Sequence, residues 1–315
     1  MKRIGIYIII VMLSAFSAPG QSTEKLPYGD FEQWVTRNIK ESRLIGGDEK
    51  QVFAIGPNKT INGATPYVPD ASTPWATSNV MAKVMGIVKT SNAVYPDNRD
   101  GGGRCARLTT RLEHCKAIGL VNIDVLVAGT MFLGRMFEPI TSTSDPYAKM
   151  EMGIPFTKRP KTLKFDYKVE MPNTDSRTYS SGFGSKKTLP GHDNAEAFII
   201  LQRRWEDADG NIYAKRVATA REVFGKSTPG WVNGHELKLT YGDASAKTSL
   251  PLIKESKSYY ARNSKGKMVP VREVGWDSAD AKPTHMLVQF SAGSGEPFMG
   301  TIGLTMWVDN VSLTY

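Results

Sequence analysis

The chain has little of what most enzymes of small molecules need. It holds only two cysteines, Cys105 and Cys115, and four scattered histidines, His114, His192, His235 and His285. No Cys-x-x-Cys or paired-His spacing occurs, which leaves zinc without a ligand set. There is no Gly-x-Ser-x-Gly elbow, no phosphate-binding loop and no dinucleotide fingerprint, so those chemistries find no support. No Ser/Gly/Pro-rich linker, internal repeat or low-complexity tract divides the sequence. Past the N-terminus no apolar run reaches membrane length; the best, Val121 to Gly134, is interrupted by Asn122 and Asp124. Helical periodicity is scarce as well. Only residues 31–45 (FEQWVTRNIKESRLI) show it, and they allow one short helix.

What is there begins with an export signal. Lys2 and Arg3 precede an apolar run from Ile4 to Phe16, and the small residues Ser17, Ala18 and Gly20 follow. This is the layout of a secretory signal peptide. The run of about 13 residues is shorter than the ~20 a spanning helix requires. Cleavage is expected after Gly20, which fits a small-x-small pattern with Ala18; a cut after Ala18 would set Pro19 directly behind it. Without a nearby cysteine, a lipoprotein anchor has no attachment point. The expected location is therefore periplasm, cell surface or medium, with no membrane anchor.

The whole chain carries 40 Lys+Arg against 31 Asp+Glu. Residues 1–20 hold two of the basic residues and no acidic one, which leaves the remainder at +7. An exported protein rarely meets nucleic acid. An excess of positive charge there serves solubility or favours an anionic polysaccharide or charged surface. In an oxidising compartment Cys105 and Cys115, ten positions apart, are expected to close a disulfide across a hairpin; two buried free thiols are the alternative.

Period-two alternation is the main structural signal. Leu163, Phe165, Tyr167, Val169 and Met171 share one face, and Lys164, Asp166, Lys168 and Glu170 the other. That is a strand with one side on a core and one in water. Val121, Ile123, Val125 and Val127 repeat the pattern. Ala195 to Trp205 is apolar on both faces, with Ala197, Ile199 and Leu201 on one and Phe198 and Ile200 on the other, as in a strand covered on both sides. Asp209-Gly210 follows as a hairpin signal, with Ile212–Ala220 returning. Further strands are expected at Glu236–Tyr241, His285–Ser291 and Thr305–Tyr315. Many short strands with Gly- and Pro-containing turns predict an all-β domain, and its length suits a jelly-roll β-sandwich with elaborated loops over residues 21–315. Two smaller sandwiches, divided near residues 86–103, are the alternative.

Several segments then fall into a familiar order. Gly29-Asp30-Phe31-Glu32-Gln33-Trp34 is followed by Trp75-Ala76-Thr77-Ser78-Asn79 and Cys105-Ala106-Arg107-Leu108-Thr109-Thr110. Gly153-Ile154-Pro155-Phe156 leads into Lys158-Arg159-Pro160-Lys161-Thr162-Leu163. Pro283-Thr284-His285, Ser291-Ala292-Gly293-Ser294 and Leu304-Thr305-Met306-Trp307-Val308-Asp309-Asn310-Val311-Ser312-Leu313 close the series. From about Gly29 to Tyr315 the chain resembles the family of carbohydrate metabolism domains, exported jelly-roll proteins of Bacteroidetes-type bacteria. Its ends resemble galactose-binding and carbohydrate-binding-module sandwiches more broadly. The family shows a Ser-rich run after the strand near 290, where this chain has Ser-Ala-Gly-Ser, a departure that bears on specificity if the loop meets ligand. The resemblance implies a β-sandwich that handles glycan, and brings no catalytic residues with it.

In carbohydrate-binding jelly rolls the opening acidic residues and the closing Asp often meet around Ca²⁺. The resemblance therefore implies a structural calcium site at Asp30, Glu32 and Asp309. The alternative is that Glu32 or Asp309 pairs with an arginine such as Arg107. Sugar binding needs flat aromatic faces and a few polar anchors. Trp75, Trp205 with Arg203, Trp276 and Tyr259 are the candidates, while Trp34 and Trp307 are expected in the core. The basic stretch Lys254–Arg272, with Lys254, Lys257, Arg262, Lys265 and Lys267 around Tyr259 and Tyr260, is either a loop for anionic glycan or a solvated hairpin. Hydrolysis would need two opposed carboxyl groups; Glu196 and Asp166 lie on strands that can face a groove, while Asp207 and Asp209 look like turn residues. The expected function is non-catalytic binding of polysaccharide or oligosaccharide beside glycan-degrading partners. A glycoside hydrolase or lyase, and a structural or adhesive protein with protein partners, are the alternatives.

Overall fold

The computed structural model describes residues 22–84, 86–117, 121–141, 145, 147–182, 184–253 and 259–315. The expected signal peptide lies outside them, as do Lys254 and Lys257. The described chain is all β, with one 3-10 turn at Arg43–Ile45. Residues 31–45 form no α-helix. Trp34–Lys40 is a strand paired along its length with Glu49–Ile55. Its helical spacing was incidental: Val35, Thr36 and Ile39 are β-branched residues that pack well on a pleated surface.

Two large sheets make the body. One has seven strands and runs Val121–Ala128, Arg104–Ala117, Thr305–Thr314, Thr162–Glu170, Val232–Lys238, with Thr23–Lys25 and Val94–Asn98 added at the side. The other has ten strands centred on His285–Ser291, Ala195–Glu206, Ile212–Phe224 and Met268–Trp276. The larger sheet curls back on itself. From Met268–Trp276 it continues through Tyr260–Arg262 and Met150–Met152 to Thr130–Met136, whose other end pairs with His285–Ser291. The all-β architecture with several sheets is consistent with the β-sandwich expected from the sequence.

The two sheets meet in one core. Leu163, Phe165, Tyr167 and Val169 of the seven-stranded sheet face Ala197, Ile199, Leu201, Val288 and Phe290 of the larger one. This core reaches from Leu26 to Leu313. Phe165 and Phe290 pack edge to face across the sheets at 4.9 Å and 78°. The second face of the Ala195 strand is buried as well, with Phe198 and Ile200 against Met136, Met150, Met152 and Leu287. The two apolar faces expected of this strand therefore sit in two cores. Trp34 is core, its Nε1 donating to Phe31 O at 2.6 Å. Trp307 is not. It is half-buried on the outward face, donates to Asp97 Oδ2 at 2.8 Å and lies under the Lys168 ammonium. Of the hairpin, Asp207 and Asp209 are turn residues as expected, but the loop is longer than two residues: Glu206 pairs with Ile212, and Asp207 Oδ1 accepts from the amides of Asp209 and Asn211.

The expected disulfide does not form; both cysteines are free. The hairpin turns after Cys115, so Cys105 and Cys115 stand on one continuous strand, Arg104–Ala117. Ten residues of extended chain separate them by about 33 Å, against the ~7 Å limit for bridged Cα atoms.

Two measurements test this packing. Phe290 has no exposed surface and contacts both Phe165 and Trp75. Phe290→Ala is expected to cost about 3–5 kcal/mol in chemical denaturation. His285 gives a pH signature. Burial, with the Arg204 guanidinium nearby, lowers its imidazole to about 4. The unfolded chain takes that proton near pH ~6.5, the folded chain only near pH 4. The stability held by neutral His285 is therefore complete above the unfolded value and is lost as pH falls toward the folded one. Between pH 7 and pH 4.5 the wild type should lose more stability than His285→Gln; equal losses would refute the assignment.

Candidate functional site

A cleft of ≈ 1180 Å³ opens on the second face of the curled sheet. Strand alternation lays its polar floor. Glu196 sits opposite Ser291, and Phe198 opposite Gln289 on one side and Arg221 on the other. Thr130 is the next partner of Ser291, and their hydroxyls are 2.9 Å apart. Four neighbouring strands thus turn Glu196, Arg221, Gln289, Ser291 and Thr130 to one side. The Val121–Ala128 strand, the Val80–Val84/Ile87–Ser91 hairpin and the loop at 293–299 build the walls.

Glu196 is the centre of the polar floor. Arg221 Nε and Nη2 both donate to its Oε2, at 2.9 and 2.7 Å, and Gln289 Nε2 donates to Oε1 at 3.3 Å. Its side chain is only 9% exposed. Burial pushes the carboxyl above the ordinary carboxylate range, and Arg221 and Gln289 offset only part of that. Tyr259 meets Phe198 edge to face at 6.3 Å. Tyr147 lines the cleft, and burial, with Glu196 and Glu296 adding their charges, pushes its phenol up to about 12. Asp193 secures the rim. Its Oδ1 accepts from Ser294 N and Ser294 Oγ at 3.2 and 3.1 Å, which ties the loop bearing Glu296 and Phe298 to the sheet.

Chemically, the floor offers a carboxylate, a guanidinium, an amide and two hydroxyls beside aromatic and aliphatic walls. Such a set can exchange hydrogen bonds with a polyhydroxylated ligand and cover its apolar faces. Glu113 and Glu296 also line the cleft. Glu113 is engaged by Arg111 at 3.4 Å.

Of the residues expected to bind ligand, only Tyr259 lies here. Trp75 is 2% exposed in the sandwich core, with Nε1 on Pro27 O at 3.0 Å; a tryptophan between a proline and a strand proved to be packing. Arg203 and Trp205 stand on the opposite face of the sheet, away from the cleft. Trp276 lies under the Arg216 guanidinium, 5.3 Å from its ring centroid. Glu196 faces the groove as its strand position allowed. Asp166 instead joins Asp309 around Arg99. That pairing bears on calcium. Asp309 is engaged by Arg99, Glu32 Oε1 accepts from Arg104 N at 3.0 Å, and Asp30 is exposed. Among the described residues no three acidic, His or Cys side chains gather for a metal, and Asp30, Glu32 and Asp309 are not brought together. The Arg-pairing alternative for Asp309 holds, with Arg99 in place of Arg107.

Sequence reasoning missed Arg221, Gln289, Ser291, Thr130 and Tyr147 as site residues. A signal was present for some. Glu196 and Gln289 are polar positions inside the runs AEAFIIL and HMLVQFS, and a polar side chain on a doubly buried strand needs a partner or a purpose. Tyr147 and Arg221 carry no such mark. The Ser-Ala-Gly-Ser segment does meet the cleft, through Ser291, Gly293 and Ser294.

Cys115 also lines the cleft, while Cys105 is buried with its thiol pushed up to about 12, chiefly by burial. Alkylation of the folded protein without reductant is expected to label Cys115 alone, and denaturation to add Cys105. Intact mass distinguishes this from a disulfide, which would block both.

Residues 58–314 match the family described as "Putative carbohydrate metabolism domain". Every lining residue of the cleft falls inside that span. No curated protein matches the chain. Among solved structures, the chain is similar to a "putative glycoside hydrolase" from Bacteroides thetaiotaomicron VPI-5482, at 18% identity and TM-score 0.47, covering 89% of this chain and 70% of that one. It is also similar to a "putative glycoside hydrolase" from Bacteroides vulgatus ATCC 8482, at 17% identity and TM-score 0.42, covering 93% and 94%.

Proposed function

The chain belongs to this carbohydrate metabolism domain family, and from that premise we propose that it is an exported glycan-binding protein whose cleft holds a saccharide without cleaving it. The observation that carries the reading is the floor itself. Glu196, Arg221, Gln289, Ser291 and Thr130 form one contiguous polar floor beneath walls rich in aromatic and aliphatic side chains, and that combination orients a hydroxyl-rich ligand. Glu196 is held by three donors from Arg221 and Gln289. A carboxylate so engaged works as a fixed acceptor for sugar hydroxyls. The expected export signal places the ligand outside the cytoplasm, beside proteins that degrade or import glycan.

One observation favours hydrolysis as a second reading. Burial raises the Glu196 carboxyl, as suits a general acid, and Glu296 lines the same cleft. A glycosidase would need the two to face each other at ~5 Å or ~6.5–9.5 Å across the bond.

The test is a glycan array on the chain from Gln21 onward, followed by titration of the best ligand. Gln289→Ala and Ser291→Ala remove floor groups without stranding a charge, and each is expected to weaken binding about 5–10-fold, which is ~1–1.4 kcal/mol for a lost hydrogen bond. Release of reducing ends from a bound glycan, abolished by Glu196→Gln, would replace the binding reading with hydrolysis. A blank array would move the protein to the structural or adhesive class and make a pull-down for protein partners decisive.

A further inference from the structure

The Ala195 strand changes role partway along. Ala197, Ile199 and Leu201 drop into the sandwich core. Two residues on, the same face emerges as Arg203 and Trp205, which are 47% and 40% exposed. Neighbouring strands continue that face. Lys215 stands opposite Arg203, and Tyr213 opposite Trp205. Arg272 is the parallel neighbour of Tyr213, and by strand alternation Val274, 55% exposed, shares its side. The other face of the same three strands holds Gln202, Arg204, Arg216 and Glu273 in a buried hydrogen-bonded network. Outward and inward sets are therefore separated by the pleat.

Trp205 and Tyr213 form the middle of this surface. Their rings are nearly parallel, 26° apart with centroids at 6.0 Å, and this stacked aromatic pair is the plate at the centre of the surface. Three cations border it. Arg203 shows how that border treats a carboxylate, since its Nε and Nη2 donate to the two oxygens of Asp277 at 2.6 and 3.2 Å. Lys215 and Arg272 make no hydrogen bond or ion pair among the described residues. The plate is also braced. Glu206 accepts from Ser264 N and Oγ at 2.8 and 2.6 Å, and Asn263 Nδ2 donates to Gly210 O at 2.9 Å, tying two hairpin tips together. A surface ordered before binding loses less entropy on contact.

We infer that this plate is a second ligand surface, separate from the cleft, and that it takes a uronate-containing acidic polysaccharide. The C–H face of a pyranose stacks on the exposed ring of Trp205, which Tyr213 backs. The carboxylate at the ring's edge reaches the cations, where a planar guanidinium fork matches a planar carboxylate with two parallel hydrogen bonds. Arg272, which has no side-chain partner among the described residues, supplies positive charge beside the Arg203–Asp277 pair, to which Lys215 also contributes its charge. The ligand class rests on the glycan-binding reading above; the location does not, because the plate shares no residue with the cleft.

The experiment is calorimetric titration of the chain from Gln21 onward with oligogalacturonate, a heparin oligosaccharide and maltoheptaose. Oligogalacturonate is expected to bind best and to weaken as salt rises. Trp205→Ala should lower its affinity at least tenfold, Trp205→Phe should restore most of it, and Arg272→Gln should lower it several-fold. These side chains are exposed, so the melting temperatures should match wild type. Equal affinity for oligogalacturonate in wild type and Trp205→Ala overturns the plate, as does a preference for heparin or the neutral sugar, or no binding at all. Binding lost in Gln289→Ala but kept in Trp205→Ala would put the acidic chain in the cleft, refuting the plate and sparing the cleft reading. Loss in Trp205→Ala beside a glycan array that ignores the cleft variants would do the reverse.

Discussion

Phe198 and Ile199 are consecutive residues of one strand and belong to two different cores. Every residue from Ala195 to Gln202 is buried, and the paired His285 strand is nearly as enclosed. A strand apolar on both faces cannot lie on the surface. Exposing even one face would forgo roughly 1.5–3 kcal/mol for each large side chain returned to water. One layer must cover each side. The seven-stranded sheet covers the first. The larger sheet covers the second by curling until Thr130–Met136 closes on His285–Ser291. The sandwich and the ring both follow from this one demand.

The same enclosure governs the polar groups. Arg216 and Glu273 have no exposed side-chain surface, a situation tolerable only with complete pairing. Arg216 donates to Glu273 and to the carbonyls of Leu250 and Pro251, and Glu273 also receives Gln202 and the amide of Ile253. This network is satisfied internally and serves the fold. Glu196 and Arg221 differ because they reach the mouth of the ring, where the walls part into the cleft. Their charges are held by the protein and still face a space where a ligand can compete for them.

The cleft and the plate thus arise where covering fails, in two ways. At the cleft, loops stand off from the ring and leave a walled space over a polar floor. At the plate, the longer strands outrun the shorter sheet beyond Leu201, and a face that is core upstream becomes an exposed Trp–Tyr surface bordered by cations.

Strand character was legible in the residues alone, because period-two alternation is local: the Thr162 and Ala195 strands, their faces and the His285 strand were all readable from spacing. So was the likeness to carbohydrate metabolism domains, which rests on ordered segments over most of the chain. Tryptophan roles were not. Trp75 and Trp205 look alike as loop-edge aromatics, yet one is packed against Phe31 and Phe290 and the other is open to solvent. The disulfide does not form, and Asp30, Glu32 and Asp309 are not brought together, for a related reason. Ten positions between cysteines fit a hairpin or a straight strand equally well, and Asp309 near the chain's end meets whichever cation the sheet brings to it, here Arg99. Sequence by itself determined which residues could not face water. Only the tertiary structure decided which faces were left uncovered, because that depends on where sheets of unequal length end and where the larger one curls, and both are set by contacts between segments far apart in the chain.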